Sequence, residues 1–209
     1  MKNSAGKAVL LKMVEAIQQN KDYLSEIDGL IGDGDHGANM NKGFTIFGDQ
    51  IRDREIAFTE GLNDLGNVLF TQIGGSMGPI YGTIFMGMAE AGERYDEIDL
   101  NAFAAMLEAG LASLRDVVEA QPGDKTLIDT LVPANEAIQK AAKEGKSFAV
   151  ALSDMKAAAR AGMDSTKDLV AKFGRSSRLG ERSRGVLDAG SVSCCLLLCA
   201  IADGITEIL

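Results

Sequence analysis

Histidine, cysteine and tryptophan are scarce in this chain, and their scarcity excludes several classes of site. Tryptophan is absent, His36 is the only histidine, and the three cysteines all lie between residues 194 and 199. An odd number of cysteines, two of them adjacent, does not suit a disulfide framework, so we expect reduced thiols in a cytoplasmic protein. A zinc site is not expected, because the clustered cysteines lack partners that would complete a ligand set.

The chain also lacks a basic excess and a long apolar run. Its formal net charge is -9, which argues against general binding to nucleic acid or to anionic membranes. The longest apolar run, residues 192–202, is too short to cross a bilayer. The N-terminal segment is a poor signal peptide, since Lys12 and Glu15 interrupt its apolar residues. We therefore expect neither a nucleic-acid nor a membrane partner.

Strand patterns are nearly absent, whereas apolar residues recur at helical spacing along almost the whole chain. With short connections and no linker, this pattern predicts an all-α fold: one domain over residues 1–209, built as an eight-helix antiparallel up-and-down bundle or barrel. The eight predicted helices cover about residues 9–30, 40–51, 59–73, 79–93, 99–114, 127–144, 147–172 and 192 to the C-terminus.

The unusual polar sequences fall in alternate loops. In an up-and-down bundle, the loops after the first, third, fifth and seventh helices lie at the same end. These loops read GDGDHG, GGSMGP, QPGDKT and, over residues 173–191, FGRSSRLGERSRGVLDAGS. The other loops are charged and otherwise ordinary. We therefore predict one functional end, with the site built from loops on a rigid scaffold.

Three aspartates, Asp28, Asp33 and Asp35, lie within eight residues of one another. Carboxylates this close repel one another unless a cation lies between them, and oxygen ligands on a flexible loop suit Mg²⁺. An EF-hand is excluded, because position twelve counted from Asp33 is Phe44 rather than glutamate. The alternative reading is a polar turn in which the aspartates cap helices.

The other loops at this end offer groups that bind anions. The glycine-rich sequence at residues 73–82 leads into a helix, whose free N–H groups and dipole attract anions, although a tight turn explains it equally. The arginines of residues 175–184 supply positive charge, unless they are simply solvated. Carboxylates, an anion-binding turn and arginines together suit a Mg²⁺–nucleotide and a phosphoryl transfer, which needs mainly positioning and charge neutralisation.

Four sequences, GDGDHGANMNKGF, GGSMGPIYGT, PGDKT and LGERSRGVLDAGS, occur in an order that resembles the ADP-binding L subunits of dihydroxyacetone kinases. The resemblance covers essentially the whole chain and implies an eight-helix antiparallel α-barrel. It also implies that Asp28, Asp33 and Asp35 hold two Mg²⁺ ions. Where the family commonly has Asp-Pro-Gly, this chain has Asp188, Ala189 and Gly190.

The resemblance implies a nucleotide site made by the four functional loops. His36 and the residues after it would form a nucleotide-binding turn, the glycine-rich loop would contact phosphates, and Leu127 would pack on the adenine with Val118 nearby. Arg175 and the Asp188 turn would close over the nucleotide. The implied nucleotide contacts are His36, Gly37, Ala38, Asn39, Ser76, Met77, Val118, Leu127, Arg175, Asp188, Ala189 and Gly190.

The implied function is that of the bacterial, phosphotransferase-system-dependent kinase, in which this chain would be a separate subunit without the domain that holds dihydroxyacetone. A phosphohistidine on an M subunit would phosphorylate bound ADP, and the ATP formed would pass its γ-phosphoryl group to dihydroxyacetone on a K subunit. Two alternatives stay open: an L-type subunit that exchanges free ATP for a related keto-sugar kinase, and a nucleotide-loaded regulatory module that docks on another protein, such as a transcription regulator.

Overall fold

In a computed structural model that describes residues 1–209, the chain is helical throughout, as predicted. The only β-type contact is an isolated bridge between Lys2 and Glu97. Short 3-10 turns lie at Asn3–Ala5, Thr166–Asp168 and Arg175–Ser183. The nine α-helices are α1 (Lys7–Gln19), α2 (Lys21–Ile31), α3 (His36–Ile51), α4 (Phe58–Gln72), α5 (Met77–Gly92), α6 (Leu100–Arg115), α7 (Ile128–Lys143), α8 (Phe148–Ser165) and α9 (Ala189–Glu207).

The helices form a closed ring in chain order. From α2 onwards each helix packs against the next one along the chain, and α9 packs back against α1. Both α1 and α2 pack against α3 and α9, so these two helices act as one bent segment. The ring therefore has eight segments joined by short connections, and the predicted all-α antiparallel barrel is confirmed.

The prediction of one continuous first helix is wrong, because the chain bends at Asn20. This residue has φ −106° and ψ 10°, outside the helical range, and it separates α1 from α2. Its side-chain amide donates to the carbonyl of Ala16 at 2.8 Å, so it takes over an acceptor at the end of α1. The apolar periodicity continues across the bend, which is why the sequence alone suggests a single helix.

The predicted seventh helix is too long, since α8 ends at Ser165 rather than near Lys172. Two hydroxyls terminate it: Ser165 Oγ donates to the carbonyl of Gly162, and Thr166 Oγ1 donates to the carbonyl of Met163, both at 2.7 Å. Such bonds satisfy carbonyls that would otherwise accept from a further helical turn. The chain between α8 and α9, residues 166–188, is thus longer than predicted, and we call it the strap.

Other predicted helix starts agree closely with the structure. The carboxylate of Asp99 caps α6 by accepting from the backbone N–H of Ala102 at 2.8 Å. The hydroxyl of Ser147 caps α8 in the same way. Helix α5 begins at Met77, two residues before the predicted start at Pro79, so the proline still lies in the first turn.

One hydrophobic core of 55 buried residues draws on all nine α-helices. Helix α9 is long and apolar enough to resemble a membrane span, but 72% of that span is buried inside the protein. It carries the three cysteines, which are all free thiols, as predicted. The apolar C-terminal run is therefore a core helix of the barrel, and the N-terminus of this helix, at Ala189, faces the strap.

Candidate functional site

The three predicted metal ligands converge at the junction of α2 and α3. Asp28 lies in the last turn of α2, Asp33 in the following loop, and Asp35 directly before α3. One carboxylate oxygen from each of them lies within 4.8 Å of the others. A set of oxygen donors on one loop, two of them exposed to solvent, suits Mg²⁺, which keeps several of its waters. The residues present therefore fit the cation that the sequence predicts.

Two glycines make this convergence sterically feasible. A Cβ on Gly32 would lie 2.4 Å from the Oδ1 atom of Asp28, so a larger residue would displace that carboxylate. Gly34 has φ +76°, in the left-handed region that glycine adopts without strain. In addition, Asp28 lies at the C-terminal end of a helix, where the helix dipole disfavours its charge. The glycines permit the three carboxylates to converge, and the electrostatics favour a bound cation between them.

The strap reaches this acidic loop through Arg175, whose guanidinium forms an ion pair with the carboxylate of Asp33. Arg175 lies in the 3-10 segment of the strap, and this segment also packs against α2. The two residues are 142 positions apart in sequence, the difference of their numbers. The ion pair therefore places the strap across the same barrel end as the acidic cluster.

His36 joins the acidic loop to the start of α9. Its backbone N–H donates to the Oδ2 atom of Asp28 at 3.3 Å, and its Nε2 atom lies 2.8 Å from the hydroxyl of Ser193. That hydroxyl lies 2.7 Å from the phenol oxygen of Tyr81, and both groups lie within 3.1 Å of the carbonyl of Gly190. This chain of bonds connects α3, α5 and α9 around the site.

Burial keeps the ring of His36 neutral at physiological pH. Removal from water lowers the pKa of His36 to about 4, although the nearby charge of Asp28 acts in the opposite direction. With Nε2 engaged by Ser193, the other ring nitrogen, Nδ1, is left for a further partner. These properties suit a group that positions a bound ligand.

The Pro-Gly-Asp-Lys-Thr loop lies beside the N-terminus of α9. The hydroxyl of Ser191 donates to the carbonyl of Thr126 at 2.5 Å, and Gly190 lies next to Leu127, since a Cβ on this glycine would be 3.7 Å from the Leu127 Cβ. Asp129 shapes the loop by accepting from the backbone N–H groups of Gly123 and Thr126, at 2.5 and 2.8 Å. The predicted adenine contact, Leu127, is therefore adjacent to the Asp188 turn.

Ala189 stands where the resemblance implies a proline, and the turn that contains it caps α9. Asp188 is the N-cap residue of α9, and its side chain accepts from the backbone N–H of Ser191 at 2.7 Å. Ala189 is the first residue of the helix, a position that favours proline but requires no proline.

Three of the predicted nucleotide contacts make no bond to the site residues described so far. Ser76 is exposed directly before α5, after Gly75, whose φ is +73°. Met77 and Val118 are half-buried and pack against the hydrophobic core. No hydrogen bond or ion pair joins these three to the other predicted site residues. They belong to the loops of the same end, and their contact with a nucleotide stays a prediction.

Sequence reasoning missed several residues that hold the site together. The sequence pattern places Tyr81 and Ser193 only within helices, and Lys125 and Asp129 only within a loop and a helix. Spacing along one helix gives no sign of these bonds, because each partner lies on a different segment. A polar residue inside an apolar helix, such as Ser193 in α9, is the one signal that could have marked such a position.

The Asp188 carboxyl gives a testable pH dependence. Burial raises the pKa of Asp188 to about 6, aided by the charges of Asp129 and Asp28 and opposed by the Ser191 N–H and Lys125. The folded protein thus binds this proton more tightly than the unfolded chain does. Ionised Asp188 therefore lowers stability above pH 6, and the loss is relieved as the pH falls from about 6 to about 4.

We expect Asp188→Asn, whose side chain still caps the helix, to lack the pH-dependent stability that the Asp188 carboxyl causes. Relative to the variant, the parent's free energy of unfolding should rise by on the order of 2 kcal/mol between pH 7 and pH 4.5, measured by urea denaturation. Parallel profiles for the two proteins would show that this carboxyl is ionised as easily as in water.

Comparison with known proteins identifies the family. Residues 30–203 match the DAK2 domain. The chain is 33% identical over 196 residues to the ADP-binding subunit DhaL of the PEP-dependent dihydroxyacetone kinase of Escherichia coli, covering 92% of each chain. It is 36% identical over 188 residues to DhaL of the PEP-dependent dihydroxyacetone kinase 1 of Listeria innocua, covering 90% of this chain and 89% of that protein.

A solved structure shares the fold. The dihydroxyacetone kinase of C. freundii, in complex with AMP-PNP and Mg²⁺, superposes on this chain with a TM-score of 0.72 at 20% identity. The match covers 97% of this chain and 34% of that longer one, so this chain spans about a third of it. With the domain match and both close relatives, the chain belongs to the DAK2-domain family and, within it, to the DhaL subunits of dihydroxyacetone kinases.

Proposed function

We propose that this chain is the nucleotide-binding subunit of a PEP-dependent dihydroxyacetone kinase in the cytoplasm. ADP bound with Mg²⁺ is phosphorylated in place by a phosphohistidine on an M subunit, and the γ-phosphoryl group then passes to dihydroxyacetone on a separate K subunit. The observation that carries the proposal is the cluster of Asp28, Asp33 and Asp35, which lies beneath Arg175 of the strap and beside the first turn of α3. The relatives named above support the same reaction.

Each predicted residue has a role that its position supports. The three aspartates would hold two Mg²⁺ ions, which bridge phosphates and offset their negative charge. His36 to Asn39 form the first turn of α3. The N–H of His36 donates to Asp28 and that of Asn39 to the carbonyl of Asp35, which leaves the N–H groups of Gly37 and Ala38 to meet phosphate oxygens. Arg175 carries the positive charge of the strap to the same place.

The remaining residues would bind the rest of the nucleotide. Leu127 lies next to Gly190 and would pack on the adenine, and Val118 would contribute to the same pocket. Ser76 and Met77 lie where the glycine-rich loop enters α5, and this helix start offers further N–H groups for phosphates. Asp188, Ala189 and Gly190 form the turn that lies between the strap and α9.

Two alternatives remain, and a reconstitution separates the first of them, the ATP-exchanging subunit, from the proposal. Purified protein loaded with Mg²⁺ and ADP is mixed with phosphorylated M-type donor and quenched, and the nucleotide on the chain is identified by chromatography. We expect conversion of bound ADP to ATP only when the donor is present. Turnover of dihydroxyacetone or another keto-sugar with free ATP and no donor would favour the ATP-exchanging kinase subunit instead.

A regulatory module that only docks on another protein is tested with Asp33→Ala. This variant loses a predicted metal ligand and the ion pair to Arg175, so phosphoryl transfer should be abolished. Binding to a partner such as a transcription regulator would survive if docking alone were the function. Failure of the parent protein to carry a phosphoryl group under any of these conditions would contradict the proposed reaction.

A further inference from the structure

The two ends of the strap meet at a narrow neck. The backbone N–H of Gly185 donates to the carbonyl of Lys167 at 2.7 Å, and the N–H of Asp188 donates to the Oγ1 atom of Thr166 at 3.1 Å. The first residues of the strap therefore contact its last ones, and the part between them, with Arg175, projects over the barrel end. Whatever holds this neck also determines where Arg175 and the Asp188 turn lie.

Lys125 lies at this neck and contacts both sides of it. Its side chain is almost completely buried, with 1% of the residue exposed. The Nζ atom donates to the carbonyl of Thr166 at 2.6 Å and to the carbonyl of Val186. One ammonium group thus joins the start of the strap to its end, and it is supplied by a third element, the loop between α6 and α7.

A lysine at position 125 is energetically unfavourable in two respects, which indicates that its hydrogen bonds to the neck have a function. Lys125 has φ 61°, the only residue other than glycine with positive φ, and this conformation is strained for a side chain with a Cβ. Burial also disfavours its charge, which is offset by the carbonyls and by the nearby carboxylates of Asp188 and Asp129. A glycine would avoid both costs, and an apolar side chain would avoid the burial of charge, but either would leave the neck unjoined.

We infer that Lys125 is a positioning residue that clasps the neck of the strap and so sets how long a nucleotide stays bound beneath it. The inference rests on the proposed function for its nucleotide part. Lys125 contacts no metal ligand, since the acidic cluster belongs to the α2–α3 junction on another part of the ring. Loss of the clasp should therefore loosen the strap and leave the binding of the metal alone unchanged.

The first test is hydrogen exchange of the nucleotide-free protein, comparing the parent with Lys125→Met. The informative amides are those that hold the strap in place: Ala171, Lys172, Gly185 and Asp188. Because hydrogen bonds from a charged group are worth more than neutral ones, we expect these amides to exchange roughly ten- to a hundredfold faster in the variant. Amides in the middle of α1 and α9 should change by less than about twofold.

Three further variants make this result specific. Lys172→Met removes the ion pair that an exposed lysine of the strap makes with the largely buried Asp124, which still accepts from the backbone N–H of Gln121. It is the matched control, for which we expect a much smaller change. Lys125→Gly relieves the strained backbone but lacks the ammonium group, so it should behave like the methionine variant. Lys125→Gln still offers a donor to one carbonyl, so it should give a smaller increase, and it replaces the methionine variant if that one does not fold.

The second test is the dissociation rate of ADP in the presence of Mg²⁺, with Mn²⁺ binding measured by electron paramagnetic resonance. For Lys125→Met we expect ADP to leave about ten- to a hundredfold faster, while Mn²⁺ affinity without nucleotide stays within about twofold of the parent value. Unchanged exchange of the strap amides would overturn the clasp whether or not the proposed function holds, because that test uses no nucleotide. The clasp would also be overturned if hydrogen exchange became equally faster throughout the protein, or if Lys125→Gly exchanged as slowly as the parent.

Discussion

Asp35→Asn is expected to weaken the binding of Mg²⁺ and ADP by at least about a hundredfold and to abolish phosphoryl transfer, because even the outer partners of metal ligands change affinity by about ten- to a hundredfold. Asp35 is the cleanest of the three aspartates to change. Its side chain caps no helix N–H, whereas Asp28 accepts from His36 and Asp33 pairs with Arg175. Calorimetry of ADP with and without Mg²⁺ measures the effect.

The stability of the variant distinguishes a metal site from a capped turn. Removal of one negative charge from a cluster of three relieves repulsion, so the nucleotide-free variant should unfold at the same temperature as the parent or slightly above it. Asp49→Asn is the control, since this aspartate is exposed near the other end of α3 and pairs only with Arg52. Unchanged ADP binding by Asp35→Asn, or a loss equal to that of the control, would contradict the role of the cluster.

Gly37→Ala is expected to lower the free energy of unfolding by about 3 kcal/mol, which corresponds to a fall in Tm of roughly 6–12 °C. A Cβ at this position would lie 1.9 Å from the carbonyl oxygen of Lys21 and 2.7 Å from the backbone nitrogen of Ser25. Backbone atoms cannot rotate aside, so the first turn of α3 must move away from α2. ADP affinity should fall with stability, since this turn belongs to the predicted nucleotide site.

Gly29→Ala is the matched control for this prediction. Gly29 lies in the same pair of helices, but the nearest atom to a Cβ there is 3.8 Å away. Alanine is the better helix former by about 1 kcal/mol, so this variant should be as stable as the parent or more stable. Thermal and urea denaturation of the two variants measure the contrast. Equal stability of Gly37→Ala and the parent would show that α2 and α3 do not pack this closely.

The sequence predicts the barrel well, because each helix buries one face and its apolar residues therefore recur at helical spacing. Alternation of functional and ordinary loops was enough to predict that they share one end. Arg175 beside Asp33, and Lys125 between Thr166 and Val186, confirm that three of these loops meet. Helix ends were less predictable, since Asn20 and Ser165 end helices through side-chain bonds to carbonyls, which no apolar pattern reveals.

The candidate site likewise has a part that the sequence predicts and a part that it does not. Asp28, Asp33 and Asp35 lie close in sequence, so their convergence follows from one bend of the chain. The bonds between His36, Ser193 and Tyr81 join three helices and could not be read from spacing. Lys125 was hidden for a different reason: a lysine in a polar loop is normally solvated, and only the path of the strap around it explains its burial.

Retention of ADP is the property that tests this account most directly. The purified protein is desalted exhaustively with Mg²⁺ present, then denatured, and the released nucleotide is quantified. We expect about one ADP per chain, as for a coenzyme that is held by the aspartate cluster and covered by the strap. Protein that is empty and binds neither ADP nor ATP when Mg²⁺ is supplied would contradict the proposed phosphotransfer function.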